Sequence, residues 1–163
     1  TFVSSYDDDA LMTGHATLGL EILEDLPEVR AIYVGIGGGG MAGGLVKAAL
    51  ATDSRVQLIG VEPTGAPGMS ESFRQGRAVR LDRVQTIADG LAAPSAGQRC
   101  YELARRRLDD LVLVDDDAIA AAMKLQMARC KLFARPGRHD PADAVVVIAS
   151  GGNVDFDRLK NLL

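Results

Sequence analysis

Apolar residues along this chain fall into two alternating kinds of run. Short unbroken runs, Ala31–Ile36, Val56–Val61, Leu111–Val114 and Ala144–Ala149, are rich in valine and isoleucine. Runs of that length and branching predict strands buried on both faces of a parallel sheet. Between them, apolar residues recur every three or four positions, the helical period. Leu18, Ile22 and Leu26 mark a helix over 15–25, with Leu11 just ahead, Thr13 as candidate N-cap and Pro27 as its stop. Leu45, Ala48 and Ala49 form one stripe of a helix over Met41–Ala51. A short helix is expected near Ser70–Gln75, inside a stretch (63–97) where Gly and Pro recur and loops dominate. Another helix follows over 97–108. Asp115 or Asp116 then caps one whose Ile119, Met123, Met127 and Cys130 share a face that reads as core, and a last short helix spans 155–163.

Strands alternating with helices imply an α/β fold, a three-layer αβα sandwich around a mostly parallel sheet. No repeat or low-complexity linker divides the chain, so 1–163 reads as one domain. Thr1 is no initiator methionine, and Phe2-Val3 reads as the inside of a strand or loop. The chain is therefore expected to be a piece of something longer or a processed product.

Composition narrows the partners. Of 163 residues, 47% are hydrophobic and only 4% aromatic, a small-residue mix that lets helices sit close on a sheet. The net charge of -4 gives no electrostatic case for nucleic-acid binding. No apolar run approaches a membrane span. Cys100 and Cys130 have no metal-ligand spacing and no secretory signal accompanies them, so both read as reduced thiols of a cytoplasmic protein. The runs Asp7–Asp9, Asp115–Asp117 and Arg105–Arg107 are too short for interaction tails and read as helix caps or solvated faces.

Gly37, Gly38, Gly39 and Gly40 stand between the first strand and its helix. Ligands of open parallel sheets sit at the carboxyl ends of strands, beside helix N-termini. Successive free N–H groups there form an anion site, and bare glycine lets a phosphate approach the main chain. A tight turn packed without ligand is the competing reading, for which one glycine would suffice. Gly35-Ile36-Gly37-Gly38-Gly39-Gly40 also satisfies G-x-G-x-x-G, with Glu62 at the end of the next strand where a ribose-binding acid would sit. Any glycine run meets that pattern, so a Rossmann-type NAD(P) site stays open as a weaker alternative. A second glycine turn, "VVVIASGGN", puts Ser150 after the last strand. In a parallel sheet Ser150 and the glycine tetrad can open on the same edge. A neutral hydroxyl there can bond a ring nitrogen and leave it uncharged, the electrostatic choice that tunes pyridoxal phosphate chemistry.

The stretches "SSYDDD…GHATLGLEI", "VGIGGGGMAGGL", "LIGVEPTGAP", "TIADGLA", "LVLVDDDAIAAAM" and "VVVIASGGNVD" run nearly end to end. In this order they resemble the pyridoxal-phosphate-dependent threonine/serine dehydratases and serine racemase, fold type II enzymes related to tryptophan synthase β. The resemblance implies the large, cofactor-binding domain of that fold. It implies that Gly37, Gly38, Gly39, Gly40 and the Met41 N–H hold the cofactor phosphate, that Ser150 bonds the pyridine nitrogen and that Gly90 lies beside cofactor and substrate. It further implies a lyase of amino-acid metabolism, isoleucine biosynthesis included, that acts on threonine or serine in a homo-oligomer. Some members carry a divalent cation, such as Mg2+, near "VEP". Those positions here are Glu62, the Ala66 carbonyl and Gly68, which lacks the family's second carboxylate.

Other departures bear on activity. The family's Schiff-base lysine and its substrate-gripping asparagine loop lie in an N-terminal segment without counterpart here. Lys47, Lys124, Lys131 and Lys160 sit where helix surfaces are expected. A hydrated surface lysine is a poor nucleophile. Arg135 stands where a glutamate near the cofactor is usual, and the polar link Gly137–Asp143 with His139 replaces a small-residue helix. His15 replaces a glutamine and reads as structural. A non-catalytic remnant that binds pyridoxal phosphate, or phosphate alone, and a serine racemase-like activity are the alternative readings.

Overall fold

A computed structural model describes residues 3–126 and 144–150. Its sheet contains β1 (Ala31–Gly35), β2 (Gln57–Pro63), β3 (Asp110–Val114) and β4 (Val145–Val147), in the order β3-β2-β1-β4 with every pair parallel. The helices are α1 (Asp9–Asp25), α2 (Gly40–Ala51), α3 (Gly68–Gln75), α4 (Gln98–Arg107) and α5 (Asp116–Leu125), with a 3-10 turn at Asp89–Leu91. The expected alternation and parallel sheet are observed. Arg135, His139, Met127, Cys130, Lys131, Lys160 and the expected terminal helix lie outside the described residues.

The core forms on one face of the sheet. Register places Ile32, Val34, Leu58 and Gly60 on that face, and the first three are almost fully buried. They join one apolar cluster with Met12 of α1, Leu45, Val46 and Ala49 of α2, Met69 of α3, and Cys100, Tyr101 and Ala104 of α4. Close helix packing relies on missing side chains. A Cβ at Gly19 would stand 2.6 Å from that of Ala48, and one at Gly43 2.6 Å from Met12 Sδ. α2 is therefore buried on nearly every side.

The sequence pattern predicts strands buried on both faces, and the structure departs from this at the sheet's margins. Tyr33, Ile59 and Val61 on the opposite face are half-buried, and Val112 and Val147 are 38% and 66% exposed. α5 buries no residue, so Ile119 and Met123 are half-buried rather than core. Periodicity reports which residues share a face and is silent on whether that face is covered.

The aspartate runs serve as caps and anchors. Asp8, rather than Thr13, caps α1, accepting from the Ala10 and Leu11 N–H groups. The helix starts four residues earlier than Thr13, whose hydroxyl instead donates back to the Asp9 carbonyl at 2.8 Å. His15 consequently lies inside α1, where its Cβ packs on the bare Gly44 of α2. Asp7 caps a different helix, accepting from Gln98 and Arg99 N–H of α4 at 3.2 and 2.9 Å. Asp115 caps α5 through the Ala118 N–H.

Candidate cofactor site

The chain lays down β1, β2 and β3 in one direction and then returns to place β4 on the other side of β1. The strand order thus reverses between β1 and β4, and the crevice beyond the carboxyl ends at such a reversal is where open α/β sheets bind ligands. The glycine tetrad and Ser150 leave the sheet there. Tyr33 pairs with Val147, and the Ile148 N–H donates to the Tyr33 carbonyl at 3.0 Å. Ser150 therefore leaves β4 level with the start of the tetrad after β1, and it is exposed.

The tetrad backbone presents a row of donors. Among the described residues, no acceptor takes the N–H groups of Gly37, Gly38, Gly39, Gly40, Met41 or Ala42; the first helical bond of α2 is Gly43 N–H to Gly39 O at 2.8 Å. Gly38, Gly39, Gly40 and Ala42 are buried. Buried backbone donors are rarely left without partners, and a run of them at a helix N-terminus matches a bound anion. These residues fit the phosphate of pyridoxal phosphate.

The remaining faces of the tetrad are fully occupied by protein. Gly39 has φ of 99°, a conformation that side chains disfavour, and a Cβ there would stand 2.8 Å from Met69 Cε and 2.9 Å from Cys100 Cβ. A Cβ on Gly38 would collide with the Tyr6 ring, and one on Gly40 would approach the Tyr6 carbonyl at 2.9 Å. A Cβ on Gly37 would come 3.4 Å from the Gly90 carbonyl and 3.2 Å from Leu91 Cα. The packing accounts for several glycines rather than one. The tight turn and the anion cradle are thus two sides of one loop: packing requires the absent side chains on one side, and the N–H groups are free on the other. The Gly38 carbonyl is fixed by the Gly97 N–H at 2.9 Å.

Gly90 lies in the 3-10 turn, is exposed, and a Cβ there would meet nothing within 4 Å. Its small size is not a packing requirement. Met41 is half-buried at the start of α2.

Glu62, near the end of β2, is fully buried. Its two oxygens accept Met69 N–H at 2.6 Å, Ser70 N–H at 2.8 Å and the Ser70 hydroxyl at 2.6 Å. It binds the N-terminus of α3, and its carboxyl is pushed above the usual range by burial, against the pull of those three donors. The Ala66 carbonyl accepts the Gly68 N–H at 3.0 Å. Both expected metal-ligand groups thus have protein partners, and among the described residues no cluster of three or more His, Cys, Asp or Glu could hold a metal ion. The ribose-binding role that a dinucleotide fingerprint assigns to Glu62 is likewise filled by α3.

Lys47 points away from the tetrad, toward α1, where its Nζ meets Asp9 Oδ1 at 2.7 Å and Thr13 Oγ1 at 2.8 Å. Lys124 is exposed on α5. Cys100 is buried beneath Gly39, its thiol bonded to the Tyr6 carbonyl at 3.1 Å and its pKa pushed up to about 12 by burial and then by Asp7.

Residues 1–151 match the family described as pyridoxal-phosphate dependent enzymes. The chain belongs to that family. An L-threonine ammonia-lyase of Thermotoga maritima is 32% identical over 173 residues, an alignment covering 99% of this chain and 43% of the relative. Among solved structures, the processed form of threonine deaminase isoform 2 from Solanum lycopersicum superposes with a TM-score of 0.88 at 29% identity, covering 99% of this chain and 48% of that one. Maize serine racemase gives 0.85 at 30%, covering 98% and 53%. The chain thus spans about half the length of these relatives.

Sequence reasoning missed Tyr6, Met69, Asp7 and Cys100 as supports of the site. "SSYDDD" is visible as a family stretch, but Asp7 acts on Arg99, 92 positions away, and the Tyr6 ring meets Gly38 across a whole helix and strand of intervening chain. No local pattern encodes such a pairing.

Proposed function

We propose that this protein acts as a pyridoxal-phosphate-dependent ammonia-lyase on threonine or serine, converting the amino acid to a 2-oxo acid and ammonia. The observation that carries the reading is the convergence of the tetrad's unpartnered N–H groups and Ser150 at the sheet's reversal point. In this reading Gly37–Gly40 and Met41 N–H bind the cofactor phosphate and anchor that end of the cofactor. Bound there, pyridoxal phosphate supplies an electron sink for the α-carbon of an amino acid. Ser150 offers the pyridine nitrogen a neutral hydroxyl, which does not hold a proton on that nitrogen as a carboxylate would. Gly90 leaves open space beside the tetrad in which cofactor and substrate can lie. Asp9 and Thr13 occupy Lys47, and Lys124 lies on the exposed α5, so the proton-moving lysine is assigned outside the described residues. The family resemblance supports a cytoplasmic homo-oligomer. Because Glu62 is committed to the N-terminus of α3 and position 68 is a glycine without a carboxylate, no Mg2+ role is part of the proposal.

Absorbance titration with pyridoxal phosphate, then borohydride reduction and intact mass, tests this reading. The 17.2 kDa chain is expected to take up one cofactor in competition with inorganic phosphate and to gain no reduced pyridoxyl group at Lys47. In the native protein, ammonia and a 2-oxo acid are expected from threonine or serine. Absence of cofactor uptake overturns the reading. Uptake without turnover by the native protein favours the alternative, a non-catalytic pyridoxal-phosphate binder.

A further inference from the structure

Asp116 opens α5 directly after its N-cap, yet its side chain leaves that helix. Its Oδ1 accepts the Thr86 hydroxyl at 2.6 Å and its Oδ2 accepts the Ile87 N–H at 3.1 Å, across 30 and 29 positions of the chain. The Thr86 oxygen also accepts the Ala88 N–H at 3.1 Å. One carboxylate thus holds the first half of the Thr86–Leu91 turn. The second half adds bonds within the turn, among them Asp89 N–H to Ile87 O, Leu91 N–H to Ala88 O, and Gly90 N–H to the Asp89 side chain.

That second half forms one wall of the candidate site. The Gly90 carbonyl and Leu91 backbone lie against Gly37, and the Leu91 side chain lies over Gly35, where a Cβ would meet both of its methyl carbons at 3.2 Å. The bonds at Thr86 and Ile87, with the Gln85 N–H to Gly65 carbonyl bond at 2.9 Å just before them, anchor the turn that sits on the tetrad. They also tie the cofactor crevice at β1/β4 to the far side of the sheet, because α5 follows β3, the opposite edge strand.

We propose that Asp116 is a positioning residue for the cofactor cradle, holding the Thr86–Leu91 turn so that Gly90 and Leu91 close against Gly37. The role rests on the proposed pyridoxal-phosphate reading of that cradle. Asp116 touches neither the tetrad nor Gly90 and acts through Thr86 and Ile87. Hydrogen bonds to a charged acceptor set the scale of the effect. Losing one amounts to roughly a ten- to hundredfold change in an equilibrium that depends on it.

The test compares Asp116→Ala, Thr86→Val and Thr86→Ser in the full chain by two readouts. One is the dissociation constant for pyridoxal phosphate from absorbance titration. The other is amide hydrogen exchange at Ala88–Leu91. Asp116→Ala and Thr86→Val are expected to weaken cofactor binding roughly ten- to a hundredfold and to accelerate exchange in the turn, including the Leu91 N–H that bonds the Ala88 carbonyl. Exchange in the α1–α2 core should stay as it was. Thr86→Ser keeps the hydroxyl and is expected to restore both. The double variant Asp116→Ala/Thr86→Val should lose less than the sum of the singles, since they break one shared bond. Wild-type uptake of pyridoxal phosphate with undiminished uptake by Asp116→Ala overturns this role alone. So does faster exchange confined to α5. A wild-type chain that takes up no pyridoxal phosphate overturns the proposed function and this role together.

Discussion

Gly38→Ala isolates the packing side of the glycine loop. The added Cβ would lie against Cγ, Cδ1 and Cδ2 of Tyr6, well inside the roughly 3.5–4.0 Å optimum for carbon atoms. The loop cannot retreat easily, because the Gly97 N–H fixes the Gly38 carbonyl at 2.9 Å. The Tyr6 ring must move instead. Its hydroxyl lies 3.4 Å from Ser95 Oγ, a long contact that offers little resistance. If the ring shifts in place, overpacking costs about 1–3 kcal/mol. If it swings to solvent, on the order of 80 Å² of apolar area is lost, or about 2 kcal/mol at 25 cal/mol per Å². Both routes converge near 2 kcal/mol, which for a chain of this size lowers Tm by roughly 4–8 °C. Thermal unfolding of the purified variant measures it. On a Tyr6→Ala background the same Gly38→Ala change should cost under about 0.5 kcal/mol, because the colliding ring is gone. A Gly38→Ala protein melting within a degree of wild type, or an equal loss with and without Tyr6, would refute the steric account.

The cofactor side predicts the opposite pattern at Gly90, where a Cβ meets open space. Gly90→Ala is expected to leave Tm within about 1 °C, since surface changes cost little, while weakening pyridoxal phosphate binding in titration; unchanged binding would place the cofactor elsewhere. Glu62→Gln puts an amide –NH2 against N–H donors and should cost about 1–3 kcal/mol in denaturant unfolding. The pH dependence of that cost has a definite sign. Burial raises the folded-state pKa of Glu62 above its unfolded value, so the folded state binds more protons in the window between the two. Its stabilising contribution is fullest below the unfolded pKa and declines as pH rises through the folded one. The Gln variant's deficit should therefore narrow with rising pH, and a widening deficit would contradict the shift. Cys100, with its thiol held near pKa 12 mainly by burial, should resist alkylation at pH 8 in the folded chain and react on unfolding, as peptide mapping after a labelling time course would show.

What the sequence determined by itself was whatever lies within a few residues or one period. Unbroken Val/Ile runs located all four strands, and helical spacing located α1 through α5 to within a few residues, except at the start of α1. There Asp8 outcompeted Thr13 as cap because its carboxylate reaches two N–H groups at once. The glycine tetrad and Ser150 were legible because a strand-to-helix turn and a strand end are local features, and parallel strands send both to one edge. Tertiary structure decided what those features serve. Only the return of the chain to the far side of β1 puts the strand end before Ser150 at the same sheet edge as the tetrad. Only the fold brings Tyr6 onto Gly38, Asp7 onto α4 and Asp116 onto Thr86. Glu62 reads as exposed at a strand end, and becomes a buried helix anchor because the chain after Pro63 folds α3 back onto it. Whether an apolar face is covered is likewise a tertiary matter: β3 and α5 carry the apolar pattern of buried elements yet remain partly open. Hydrophobic spacing is a one-dimensional property, whereas burial and contact depend on which distant segments arrive to share the same volume.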